Sequence, residues 1–451
     1  MKDPAALKWD QTLRHPLLLA ALLLVGGAVS VAAVWLLVRL EPVRSLLASQ
    51  FWFSIILMAG CLGLILGSTA LCIFVERKIS AYIQDRHGPN RVGYKGIFQS
   101  VADGLKMLLK EDIIPGNVDR ALFVLAPSIS FTISMIGFAV IPWAGRVRWP
   151  WMNPDAQPIL AQVASLNIGL LYILAVASLG VYGVVLAGFA SNNKYSFLGG
   201  MRAAAQMISY EIPLGLGLLC ILLTAGSLRL EEVVEAQARS GLWYVFYQPL
   251  AFLLMLVCGF AETNRAPFDL PECEQELVGG FHTEYSALKF GMFFLAEYAH
   301  MITGSALLIA LFFGGWHVWG LTSADNLSWW GFLIKFAVYW AKIAVFIWLY
   351  MVVRWTLPRF RFDQLMRVAW KGMIPLGMLL VLATGLLTAL NLHRNLAACL
   401  GANLLVLLVA LAWAGRSRAP VTGRQANLPD IQVRPTQVAT GDSLWRAASR
   451  I

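Results

Sequence analysis

The sequence has little charge. Only 13% of its 451 residues are Asp, Glu, Lys or Arg, against roughly 25% in a soluble domain, which excludes an ordinary water-soluble globule. Its six cysteines are Cys61, Cys72, Cys220, Cys258, Cys273 and Cys399, with no CxxC pair and no Cys/His spacing suited to zinc or iron–sulfur ligation. Neither disulfides nor a metal centre are therefore expected. No glycine-rich nucleotide loop, nucleophilic triad or internal repeat is present. Basic clusters interleaved with aromatics are also missing, which argues against a nucleic-acid partner.

What the chain has in abundance is apolar sequence: 59% hydrophobic residues and a mean hydropathy of +0.67. Crossing roughly 30 Å of hydrocarbon takes about 20 apolar residues in a helix. Candidate spans lie near 17–38, 51–75, 121–142, 164–190, 203–226, 243–261, 291–313, 329–353, 372–391 and 396–414. The expected fold class is all-α, a polytopic membrane helix bundle of about ten transmembrane helices. Ten spans put both termini on one side. With the N-terminus inside, the inside segments carry 26 Lys and Arg and the outside loops 7, as the positive-inside rule requires. The basic balance, net +10, thus reflects topology and contact with anionic lipid. The first apolar run follows Lys2, Lys8 and Arg14 like a signal peptide, yet has no small-residue cleavage site before Arg39, so an uncleaved helix is expected.

Against this background the acids stand out. Residues 260–300 hold seven of them, Glu262, Asp269, Glu272, Glu274, Glu276, Glu284 and Glu297, against two bases, Arg265 and Lys289. A charge at mid-bilayer costs at least about 2.5 to 3.5 kcal/mol, so acids retained there need a reason. Glu272, Glu274 and Glu276 follow at steps of two; in a helix the first and last share a face. Carboxylates this close cannot all ionise freely in a low dielectric. A solvated acidic loop that docks a basic partner is the plainer alternative. Glu211 sits in the span 203–226, two residues before Pro213, which removes a helix donor beside the acid. It reads as a proton-relay carboxylate, or more plainly as an acid paired with a base such as Arg202.

Elsewhere, Arg77, Lys78, Arg86, Arg91 and Lys95 gather round a turn signalled by Gly88, Pro89, Asn90 and Gly93. After it, Phe98, Val101, Leu105 and Leu108 recur at helical spacing in a stretch too short and charged to span, an amphipathic helix for the interface or a partner. Lys335 and Lys342 lie seven residues apart, on nearly one helix face, which predicts a polar seam. Beyond residue 415 the tail is polar, with Pro420, Pro429 and Pro435, and is expected to be disordered or bound to a partner.

Four blocks, ERKISAYIQDRHGPNRVG at 76–93, ADGLKMLLKEDIIP at 102–115, SNNKYSFLGGMRAAAQMISYE at 191–211 and AETNRAPFDLPECEQELVGGFHTEYSALKFGMFFLAEY at 261–298, resemble the H subunit of respiratory complex I, NADH:quinone oxidoreductase. The resemblance covers about 51–391 as an eight-helix membrane domain. It leaves 1–50 as an extra helix with an outside loop, 392–414 as an extra C-terminal helix and 415–451 as a tail inside. It implies a proton-pumping translocase subunit of the respiratory chain, bacterial inner membrane, both termini cytoplasmic. A quinone would be the substrate, reaching a cavity beside the peripheral arm. Flavin and iron–sulfur clusters would sit on partner subunits only. The partners implied are the quinone-module subunits of the peripheral arm and the small and antiporter-like membrane subunits. Carried over by residue, Glu211, Glu262 and Glu297 match the family's proton path. Glu272, Glu274 and Glu276 match its acidic coupling loop, and Arg86, Arg91 and Arg202 are candidates for lining the cavity. No residue of this chain alone is expected to be catalytic. The competing readings are the equivalent subunit of a membrane-bound hydrogenase or formate-oxidising complex, a stand-alone proton or ion transporter, and a structural anchor.

Overall fold

The computed structural model describes residues 49–152, 155, 157–271, 274–323 and 325–416. The expected first span at 17–38 and the tail beyond 416 lie outside them. In chain order the helices are α1 (Gln50–Ile83), α2 (Gln99–Leu109), α3 (Arg120–Ile136), α4 (Gly169–Ala190), α5 (Lys194–Ala225), α6 (Leu230–Ser240), α7 (Tyr244–Tyr247), α8 (Pro249–Glu262) and α9 (Glu274–Leu277). They continue with α10 (Ala287–Phe312), α11 (Trp329–Thr356), α12 (Phe362–Arg367), α13 (Ile374–Ala389) and α14 (Leu396–Arg416). A two-residue antiparallel pair, β1 (Arg146–Val147) with β2 (Ile159–Leu160), is the only sheet among the described residues. The all-α expectation is met. Among the described residues, seven helices are long and apolar enough to cross a membrane, with shorter apolar helices at Pro249–Glu262 and Leu396–Ala412.

Two helices organise the packing. α5 touches α4, α8 and α13, while α10 touches α1, α3, α8 and α11. In the apolar stretch of α10, 72% of residues are buried, against 22% for α1, so α10 is the central element and α1 lies at the rim. α5 runs unbroken through Pro213, so the loosening expected there does not end the helix. The expected span 243–261 does break. Gln248 leaves helical geometry between α7 and α8, and Pro249 opens α8, the position where its missing N–H costs least. Asn403 of α14 donates its amide to the carbonyl of Tyr247 at 3.1 Å, a group left without a helical donor by that break. The described residues up to Leu407 form one compact unit, and Leu408 onward, a second one, is described only as the end of α14.

The basic turn after α1 depends on Gly96. Its φ is +86°, and a Cβ there would stand 2.2 Å from the carbonyl oxygen of Pro89, so any other residue would force the Gly-Pro-Asn turn open. α2 follows, fixed to α1 by Ser100 on the Ala70 carbonyl at 2.7 Å and by the Arg77–Asp103 ion pair. Its apolar residues Phe98, Val101, Leu105 and Leu108 are all exposed, as expected of a helix whose apolar face serves lipid or a partner. The free cysteines Cys61, Cys72, Cys220, Cys258 and Cys399 are all buried.

Candidate functional site

The turn that follows α8 is held from below by Gln206 of α5. Its amide nitrogen lies 2.9 Å from the Ala261 carbonyl, 3.1 Å from Asn264 Oδ1 and 2.7 Å from the Phe268 carbonyl. This anchor directs Arg265 into the protein, where the residue is 2% exposed. Its Nη1 donates to Glu76 Oε2 at 2.6 Å and its Nε to Glu297 Oε1 at 2.6 Å. Tyr298 donates its hydroxyl to Glu76 Oε2 at 2.7 Å, and the Arg265 guanidinium lies over the Tyr298 ring at 4.1 Å. Arg354, in the last turn of α11, pairs with Glu76 Oε1. Two carboxylates and two guanidiniums therefore neutralise each other in a buried cluster drawn from α1, α10, α11 and the turn.

The same turn is closed on its other side by Arg359, which donates to Asp269 at 3.0 Å. Burial pushes the Asp269 carboxyl up to about 6, against the pull of Arg359. Because this lies above the unfolded value near 3.9, the folded protein holds the proton more tightly than the unfolded chain. The cost of ionising Asp269 therefore grows from about pH 4 to about pH 6 and is complete above. Asp269→Asn removes that cost. The wild-type complex is expected to gain thermal stability on moving from pH 7 to pH 5 relative to this variant; parallel melting curves at the two pH values would contradict the assignment.

Next to the ion cluster, three small cavities are joined by one residue. Glu262, the last residue of α8, lines all three. It meets Glu211, Ser178 and Tyr210 in one of about 20 Å³, and His300, Thr303 and Ser134 in another of about 40 Å³. The third, about 50 Å³, brings it together with Glu297, His300, Asn264 and Ser130. A water needs about 10 to 15 Å³ on this measure, so each has room for at least one. The three acids named from sequence, Glu211, Glu262 and Glu297, thus line a set of small cavities that share Glu262, and Glu297 also belongs to the ion cluster.

Other expected residues lie apart from this chain. Arg86 and Arg91 line an open cleft of about 500 Å³ together with Arg77, His87 and Asn90, sharing no lining residue with the acidic cavities. Arg202 does not face Glu211. It pairs with Glu276 at 2.6 Å, both side chains partly exposed, because α9 returns the acidic loop over the start of α5. Gly199 permits this approach, since a Cβ there would stand 2.7 Å from the Phe281 nitrogen. Glu272 lies outside the described residues, as does the side chain of Glu274, and with them the face that Glu272 was expected to share with Glu276. Sequence reasoning missed Glu76, Tyr298, Arg354 and His300. Glu76 stands next to the expected end of the first described span, and an acid at that boundary reads as the start of a loop, whereas α1 continues to Ile83.

Residues 55–385 match the family model described as NADH dehydrogenase. The chain is 47% identical over 330 residues to the NADH-quinone oxidoreductase H subunit of Flavobacterium johnsoniae, covering 73% of this chain and 92% of that one. It is 46% identical over 333 residues to NADH-quinone oxidoreductase H subunit 1 of Geobacter sulfurreducens, covering 72% and 92%. With the corresponding H subunit of Leptospira biflexa serovar Patoc it shares 47% identity over 329 residues, covering 72% and 91%. Seven apolar helices of spanning length among the described residues and these likenesses over most of the chain make it a multi-pass membrane protein that belongs to the family of NADH-quinone oxidoreductase H subunits.

Proposed function

We propose that this chain walls the quinone-access cavity of a proton-pumping NADH:quinone oxidoreductase and couples quinone reduction to proton movement through Glu211, Glu262 and Glu297. The observation that carries the reading is the position of Glu262, in three water-sized cavities between Glu211 and Glu297. Glu297 is in turn linked through Arg265 to Glu76 and Arg354. Reducing a quinone takes up two electrons and two protons and leaves transient negative charge. At about 10 Å and an effective dielectric near 20, one such charge is felt at about 1.7 kcal/mol, roughly one pKa unit of a carboxylate, against about a quarter of that in bulk water. Half-buried acids that line adjoining cavities can therefore pass protons in response to redox chemistry that they do not perform.

The surrounding surfaces support the rest of the assignment. The exposed apolar face of α2 suits access of a quinone tail from lipid. The basic cleft of Arg77, Arg86 and Arg91, together with the Arg202–Glu276 pair on the acidic loop, suits docking of the peripheral arm. Electrons would arrive from flavin and iron–sulfur clusters on partner subunits, and protons would leave towards neighbouring small and antiporter-like membrane subunits. The charge asymmetry favours both termini on the cytoplasmic side of what would be a bacterial inner membrane. Residues 51–391 would form the shared eight-helix domain and 392–414 an added helix.

Glu262→Gln keeps the side chain's size and removes its proton. In the intact purified complex, NADH-driven, quinone-dependent proton pumping is expected to fall at least about tenfold, with the amount of assembled complex unchanged on a native gel. Pumping at the wild-type rate in this variant would remove Glu262 from the path and the proposal with it.

A further inference from the structure

Resting on that proton-path reading, we infer that His300 is a proton-carrying residue between Glu262 and Glu297. The ring lines both larger cavities, one of about 40 Å³ and one of about 50 Å³, and Glu262 is the only acid lining the first. His300 is the sole titratable group besides Glu262 common to the two. It stands three residues after Glu297 on α10, so the two side chains share a helix face and both line the second cavity. Nε2 is the ring atom turned towards α4, 3.5 Å from where a Cβ on Gly180 would stand. Among the described residues the ring makes no hydrogen bond to protein. A histidine kept for structure inside a protein normally has one; this one is half-buried and borders space large enough for water.

The chemistry suits the place. An imidazole can accept a proton at one nitrogen and release another from the second. A proton leaving the Glu262 carboxyl through a cavity water adds to one ring nitrogen. The proton on the other nitrogen passes to the Glu297 carboxylate. Glu262 is left ionised, Glu297 protonated and the ring neutral in its other tautomer, which a ring rotation or exchange with cavity water restores. The remaining lining groups, Ser130 and Ser134 of α3, Thr263 and Asn264 after α8, and Thr303 of α10, orient water and do not titrate. The charged groups facing the ring are thus Glu262 and Glu297, the latter held by Arg265.

The test compares His300→Gln, His300→Asn and Glu262→Gln in the whole complex, with assembly read on native gels and NADH-driven pumping read from pH 5.5 to 8.5. Both His300 variants keep a polar side chain that can hold water but cannot titrate. The expected result is a loss of at least fivefold, with a ratio of variant to wild-type rate that changes across the pH range. A loss that is the same at every pH would make His300 a packing residue and overturn the inference, as would wild-type rates in an assembled variant. Should Glu262→Gln pump normally, the path reading fails; should it fail to pump while His300→Gln pumps normally, only the role of His300 is lost.

Discussion

Arg265→Met is expected to remove most of the assembled complex. Among the described residues, the guanidinium is the only cation paired with Glu297 and one of two paired with Glu76. Breaking a buried pair by deleting one partner costs about 3 to 5 kcal/mol, a large part of the roughly 5 to 15 kcal/mol that holds a domain folded. The charges left behind make the prediction specific. After the substitution, Glu76 still has Arg354 and the Tyr298 hydroxyl, while Glu297 is left without its paired cation. Adding Glu297→Gln should therefore recover a good part of the complex, although it removes a second native side chain. Arg265→Lys should recover less, because the two carboxylates are met by separate nitrogens of the planar guanidinium fork, Nε and Nη1, whose reach and geometry a compact ammonium does not reproduce. The measurement is the amount and heat stability of intact complex on native gels. A double variant worse than Arg265→Met alone would show that the Arg265–Glu297 pair is not what the single substitution breaks.

How much of this could be read from residues alone depended on which partner each charge uses. Glu211, Glu262 and Glu297 were legible because each interrupts apolar sequence, where an acid has few reasons to be kept. Their convergence on shared cavities depends on α5, α8 and α10 meeting in space, which spacing along the chain does not reveal. Glu76 was hidden by the habit of ending a span at its first charge, and Arg265 by counting it as a minor base in an acidic stretch. The pairing of Arg202 with Glu276 in place of Glu211 follows from the close approach of the 280–282 turn to Gly199, a contact between segments about eighty residues apart. The break before Pro249 had a signal, since proline favours the first turn of a new helix, but the apolar run 243–261 outweighed it. Side chains that bind backbone carbonyls were the least legible, because every residue offers one.

Lys342 shows the consequence of that last limit, and Lys342→Met is expected to be the most damaging change outside the acidic site. Lys335 and Lys342 do share a face of α11, as their spacing predicts, but the seam they make is with the backbone after α10. The Lys342 ammonium donates all three protons to carbonyls, those of Phe313 at 2.6 Å, Gly315 at 2.8 Å and His317 at 2.7 Å. It also lies 4.6 Å from the centre of the Trp243 ring. These carbonyls belong to the C-cap of α10 and the turn after it, next to a helix C-terminus whose dipole favours a cation, and that turn needs Gly314 and Gly315 at positive φ. Methionine fills the stem's volume yet leaves three acceptors without their donor, at about 1 to 3 kcal/mol each. Relief from burying an ammonium offsets part of this, so a net loss of about 3 kcal/mol or more is expected. Lys335 has one carbonyl, that of Asn326 at 2.8 Å, and the Trp316 ring, so Lys335→Met should cost less. Thermal denaturation of the purified complex ranks the two. If Lys342→Met melts with the wild type, or later than Lys335→Met, the carbonyl triad does not hold the end of α10, the central helix that carries Glu297 and His300.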